Sequence, residues 1–223
     1  MTDPIIVGGT GGSGTRLVAL LLQAAGVFMG KEDRVNYAMD SIPMNRADYH
    51  YLTGKPDLDE EVRSRLSEHL SGEFRLWGWK HTVSYITLPM WHRYFPDLHF
   101  IHVVRDGRDL AYAPHISLGV FALLTGLNHP VALMAVWART NLDCANYGER
   151  YVNYYRVRYE DLCNKPADTI TSLYQFLNLD ADPPTHLVRP SSGMGRWKGR
   201  PGLKDVQDAG DYALKRFGYE IAP

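Results

Sequence analysis

Three short stretches carry residues whose chemistry converges on an anion. In IIVGGTGGSGTR, residues 5–16, an apolar β-branched run leads into glycines and then into Ser13, Thr15 and Arg16, ahead of the helical pattern LVALLLQAAG. Strand, tight turn and helix in that order aim the turn's amides and the helix N-terminus at one point, where a phosphate-like anion fits. In FIHVVRDGRDLAYA, Arg105 stands where an apolar strand ends. Its guanidinium emerges at the strand's carboxyl edge, able to grip an oxyanion through two N–H groups. Arg108 reads instead as a partner of Asp106 or Asp109 at a helix start. In SSGMGRWKGRPG, residues 191–202, Arg196, Lys198 and Arg200 alternate through glycines with Trp197 between them. Such a loop is able to close over a nucleotide, charge on phosphate and ring on base.

Two other readings of the first stretch are weaker. Gly9 and Gly14 have the spacing of the nucleoside-triphosphate motif GxxxxGK[ST], but Thr15 and Arg16 stand where it needs Lys and then Ser or Thr. Gly8, Gly11 and Gly14 have the spacing of a dinucleotide fingerprint, but its ribose-binding acid would be Glu32 or Asp33, with no convincing second strand to carry it.

The elements that must position these residues follow from periodicity. Strands are expected at 4–8, 74–80, 98–104 and 153–158, the third nearly continuous in apolar residues, as a strand covered on both faces should be. Helices are expected at 14–25, 57–70, 86–95, 108–118, 130–147, 166–178 and 203–217. Pro166 suits a first turn, and Ile170, Leu173, Tyr174 and Leu177 make one buried stripe. Segment 30–56 is polar, aromatic and weakly periodic, and reads as a variable loop region that meets substrate. Alternating strands and helices predict an α/β fold of three layers, a central parallel sheet of about four to five strands with helices on both faces. Its strand-to-helix loops, residues 8–16, 80–85 and 105–109, then share one rim. With no repeats or linker-like composition, residues 1–223 read as a single domain.

Taken together, these stretches resemble the sulfotransferase family that uses 3'-phosphoadenosine 5'-phosphosulfate (PAPS). GGSGTR is similar to the family's 5'-phosphosulfate loop, HVVRDGRDLAYA to its 3'-phosphate motif, RVRYEDLCNKP to its next strand and turn, and GRWKGR to its C-terminal nucleotide-covering loop. The resemblance implies a P-loop-like fold. It implies that Gly11, Gly12, Ser13, Gly14 and Thr15 hold the 5'-phosphosulfate and that Arg105 binds the 3'-phosphate. It further implies that Tyr159 approaches the adenine and that Arg196, Trp197, Lys198, Gly199 and Arg200 cover the nucleotide. Two positions depart from the family pattern: Gly12 stands where many members carry Lys or Arg, and Ala113 where a Ser also binds the 3'-phosphate. Arg16 is a candidate for the first missing group, Lys198 or Arg200 for the second.

Sulfuryl transfer needs in-line geometry and stabilised charge on the leaving phosphate, which oriented amides and cations supply. Lys80, at the end of the strand candidate 74–80, reaches the same rim, and the resemblance implies contact with the sulfuryl group. His81 is a candidate general base because imidazole titrates near neutral pH, with Asp40 the alternative. The expected acceptor is a hydroxyl or amine on a small molecule, sugar or lipid headgroup. A P-loop nucleotide kinase and a non-catalytic nucleotide-binding module are the competing functions.

Composition sets outer limits. The formal net charge of -1 points away from nucleic acid as a partner. Cys144 and Cys163 form no CxxC pair, and with no HExxH motif either, no metal is expected. No uninterrupted apolar run suggests a membrane span, and the N-terminus has no basic, apolar leader; a cytoplasmic protein is expected. No heptad pattern defines an oligomeric state.

Overall fold

The structure, a computed structural model, describes residues 3–30, 42–70, 74–113 and 129–221. Four strands, β1 (Ile5–Gly8), β2 (Gly78–Lys80), β3 (His99–Val104) and β4 (Asn153–Arg158), form one sheet in the order β2-β1-β3-β4. Every pairing is parallel: Val7 lies opposite Lys80 on one side and opposite Ile101 on the other, and Val104 opposite Arg158.

Alternation along the strands divides the core. Ile5, Val7, Ile101, Val103 and Val157 face one way, under helices α1 (Thr15–Ala24) and α8 (Pro166–Phe176), which supply Val18, Leu21, Leu22, Ile170, Leu173 and Tyr174. On the opposite side Ile6, Trp79 and Phe100 pack with Met44 and Ala47 of α2 (Ile42–Leu52), Val62 of α3 (Leu58–His69) and Trp91 of α4 (Leu88–Tyr94). Further along that side Val104 packs with Leu110 of α5 (Gly107–Ala111), Trp137 of α6 (Pro130–Tyr151) and Leu214 of α9 (Leu203–Arg216). The α/β class, the parallel sheet and the three layers match the sequence expectation, with four strands in the sheet.

Differences from the expected elements have local causes. The second strand is shorter than 74–80: Phe74 stacks on Phe28 with ring centroids 3.7 Å apart, and Trp77 makes only an isolated bridge to Phe28. A helix, α2, occupies much of the stretch expected as a loop. Its buried face carries Met44, Ala47 and Asp48, so a carboxylate at a core position interrupts the apolar period that reveals a helix in sequence. A short helix, α7 (Tyr159–Asn164), directly follows β4. The helix expected at 108–118 is α5 over Gly107–Ala111; residues 114–128 lie outside the described residues, as does Asp40.

Candidate active site

The rim predicted from topology is present. β1 ends at Gly8, and the following loop turns through a bond from the Ser13 amide to the Thr10 carbonyl, 2.9 Å, into α1. Gly14 precedes the helix in the left-handed region, φ 100°, with no side chain capping the free amides of the first turn. A β-carbon at Gly14 would overlap the Tyr159 ring, and one at Gly9 would overlap the Val103 carbonyl oxygen, so both positions require glycine. Among the described residues the buried Ser13 hydroxyl has no hydrogen-bond partner.

Arg105 leaves the end of β3 and is 5% exposed. Its Nη1 donates to the Gly12 carbonyl at 3.3 Å, its Nη2 to Asp109 Oδ2 at 3.2 Å, and its guanidinium lies 4.9 Å from the centre of the Tyr159 ring. Its Nε is buried and has no partner among the described residues. Tyr159, at the start of α7, accepts the Ser191 amide on its hydroxyl at 3.0 Å, and burial raises its pKa. Lys80, at the end of β2, is buried beside the loop.

These groups line one cleft of about 610 Å³: Gly12, Gly14, Thr15, Arg16, Lys80, Arg105 and Tyr159, joined by Thr82, Leu187, Arg189 and Ser191. Arg16 is exposed there. Gly11 and Ser13 belong to the same loop without lining the cleft. Arg189 and Ser191 escaped sequence reasoning; the signal for them was the Arg-Pro-Ser-Ser-Gly run just ahead of the basic stretch.

The remaining sequence candidates sit elsewhere. His81, next to Lys80, is 2% exposed and outside the cleft lining; its Nδ1 lies 2.5 Å from Asp48 Oδ2. Arg196, Trp197, Lys198, Gly199 and Arg200 also lie outside that lining. Their loop is pinned by Asp109, whose carboxylate accepts the Gly195 amide at 3.1 Å and the Arg196 amide at 2.8 Å. Burial pushes the Asp109 pKa up, and Arg105 pulls against that shift. Trp197 lies 3.8 Å over the guanidinium of Arg108. Arg108 is held by both Asp106 oxygens and by Gln207, the structural role expected of it. Asp106 also caps α5 by accepting the Arg108 amide.

Among the described residues no group of three or more His, Cys, Asp or Glu side chains is arranged to hold a metal, and no helix is long and apolar enough to cross a membrane. The cleft joins helix-terminal amides, four basic side chains and an aromatic wall, a setting for a dianionic nucleotide end.

Comparison with known proteins bears on the fold and the family. No curated protein matches the chain. Among solved structures, the sulfotransferase domain of the Synechococcus PCC 7002 olefin synthase superimposes with a TM-score of 0.66 at 17% identity, covering 100% of this chain and 98% of that one. The sulfotransferase domain of the curacin biosynthetic pathway gives 0.62 at 14% identity, covering 100% and 99%. Mouse sulfotransferase SULT7A1 complexed with PAP (adenosine 3',5'-bisphosphate) gives 0.54 at 13% identity, covering 96% and 88%. At such identities these likenesses concern the fold. The profile of the Sulfotransferase family matches residues 4–183, and the nucleotide-kinase alternative has no comparable support. With that match over most of its length, the chain belongs to the sulfotransferase family, the enzymes that move a sulfuryl group onto an acceptor.

Proposed function

We propose that this sulfotransferase takes PAPS as donor in the glycine-loop cleft and passes its sulfuryl group to a hydroxyl or amine of a small-molecule, sugar or lipid-headgroup acceptor. The observation that carries this reading is a pair of orphaned buried groups, Arg105 Nε on a residue that lines the cleft and Ser13 Oγ in the glycine loop beside it: among the described residues neither has a partner, although burial demands one. An anion with many acceptor oxygens meets that demand. The donor supplies an activated sulfur–oxygen bond; every other contribution comes from the chain.

The amides of Gly11 to Thr15, at the start of α1, hold the 5' end, with the Ser13 and Thr15 hydroxyls adding donors. Lys80 and Arg16 bring positive charge to the transferring group and the leaving phosphate oxygen. Arg16 is exposed in the cleft and has no ion pair among the described residues, which supports its standing in for the cation absent at Gly12. Arg105 grips the 3'-phosphate, and Tyr159 shields that contact from water. Arg189 lines the cleft while Lys198 and Arg200 do not, so we assign to Arg189 the support that Ala113 cannot give. The 196–200 loop covers the nucleotide through its anchorage on Asp109. His81 accepts the acceptor proton.

Incubation with PAPS carrying labelled sulfate and a panel of alcohols, phenols, sugars and amines, in EDTA, tests the reading. Label transferred to an acceptor supports it; turnover only of ATP, and only with magnesium, contradicts it.

A further inference from the structure

The helix that sequence left unread, α2, places Asp48 in the core, fully buried. A carboxylate out of water is costly unless donors meet its oxygens, and here four do. Trp91 Nε1 at 2.8 Å and the Thr87 hydroxyl bond Oδ1; Ser84 Oγ at 2.8 Å and His81 Nδ1 at 2.5 Å bond Oδ2. Ser84 in turn takes the indole N–H of Trp79 at 3.3 Å. No Lys or Arg forms an ion pair with Asp48 among the described residues. Of its four hydrogen-bond partners only the imidazole is able to become a cation.

The bond also decides which nitrogen of that group is free. A hydrogen on Nδ1, given to the carboxylate, leaves Nε2 as the lone pair. Among the described residues Nε2 has no hydrogen-bond partner. The backbone holds the ring at the rim: the His81 amide donates to the Val7 carbonyl at 3.1 Å, and Lys80 and Thr82 on either side both line the cleft. Tyr49, next to Asp48 on α2, meets the imidazole edge to face at 5.8 Å.

We infer that Asp48 is a positioning residue for sulfuryl transfer, fixing the tautomer and orientation of His81 so that Nε2 receives the acceptor proton. This rests on the reading of His81 as the base. His81 Nε2 takes the proton of the acceptor hydroxyl as the acceptor oxygen bonds to sulfur. The sulfur–oxygen bond to the 5'-phosphate breaks, and its electron pair stays on that phosphate. The Asp48 carboxylate stabilises the imidazolium that results without taking its proton.

A double-mutant cycle on the full chain, with labelled PAPS and the best acceptor of the panel above, separates positioning from a merely structural tie. Asp48→Asn should lower kcat roughly a hundredfold or more and leave KM for PAPS unchanged. In a His81→Gln background the same substitution should change kcat by less than about threefold. Equal losses in both backgrounds, or undiminished kcat in Asp48→Asn, would overturn the inference while leaving His81 as base. Full activity in His81→Gln alone would remove the base reading and the inference together. Long-range proton–nitrogen correlation spectra of the unmodified protein need neither a foldable variant nor an acceptor. They should show His81 with its proton on Nδ1; a proton on Nε2 alone contradicts the inference.

Discussion

Arg105 and Asp109 form a buried pair, Nη2 to Oδ2 at 3.2 Å, and the same carboxylate receives the backbone amides of Gly195 and Arg196. One acidic residue thus couples the cation at the end of β3 to the loop that carries Trp197 and Lys198. Arg105 is therefore oriented by the protein's own contacts, and among the described residues its Nε has no partner.

Replacing Arg105 by Ala should weaken PAP by roughly 2 to 5 kcal/mol, the range for losing one partner of a desolvated charge pair. Binding of 5'-AMP, which lacks the 3'-phosphate, should hardly change. The comparison is made between ligands because the substitution also strips Asp109 of its partner and destabilises the fold. Calorimetric titration of both nucleotides checks it, and equal losses would refute the assignment.

Asp109→Ala should free the 193–200 loop. Hydrogen exchange at the Gly195 and Arg196 amides is the direct readout, since those amides donate to the carboxylate. Exchange should accelerate there while the β3 amides keep their protection; unchanged exchange at both amides would show that the loop is held by other contacts.

Much of this arrangement was legible in sequence, for identifiable reasons. β1, β3, α1, α6, α8 and α9 announce themselves because their buried faces are mostly apolar, as with Val18, Leu21 and Leu22 under the sheet. The loop of residues 9–14 and Arg105 follow from strand ends, which topology brings to one edge. Asp48 was hidden because a buried carboxylate reads as a surface residue. The basic loop at 196–200 reads as covering a nucleotide from its charges, from Trp197 between them and from the family resemblance of GRWKGR. Its attachment to Asp109 is made through backbone amides, which carry no sequence signature.

Gly14→Ala should cost about 1 to 3 kcal/mol of stability, since it forces a side chain into the left-handed region, φ 100°, and against Tyr159. Tyr159 must then move, so PAP affinity should fall as well. Thermal melts with and without PAP measure both effects, and an unchanged melting temperature would contradict the close approach.

His102, fully buried, joins Tyr154 through Nδ1 at 2.7 Å and Asn141 through Nε2 at 2.9 Å, and Asn141 in turn bonds Thr10 of the glycine loop. Burial lowers its pKa from 6.5 to about 4. Between those values the unfolded chain binds a proton that the folded chain refuses. Its contribution is therefore fully present above the unfolded value and is lost as pH falls from 6.5 towards about 4, by about 3 kcal/mol in all. Urea midpoints at about pH 7.5 and about pH 4.5 should fall further for the wild type than for His102→Gln. Asp109 and Glu160, whose pKa values burial raises, act in the opposite direction in both proteins and cancel in the comparison. Parallel midpoints would contradict the assignment.

The most direct measurement is a calorimetric titration of the wild-type chain with PAP in EDTA, alongside ATP with magnesium. One site for PAP without any divalent ion is the predicted result. Binding of the magnesium–ATP complex with none of PAP would contradict the account.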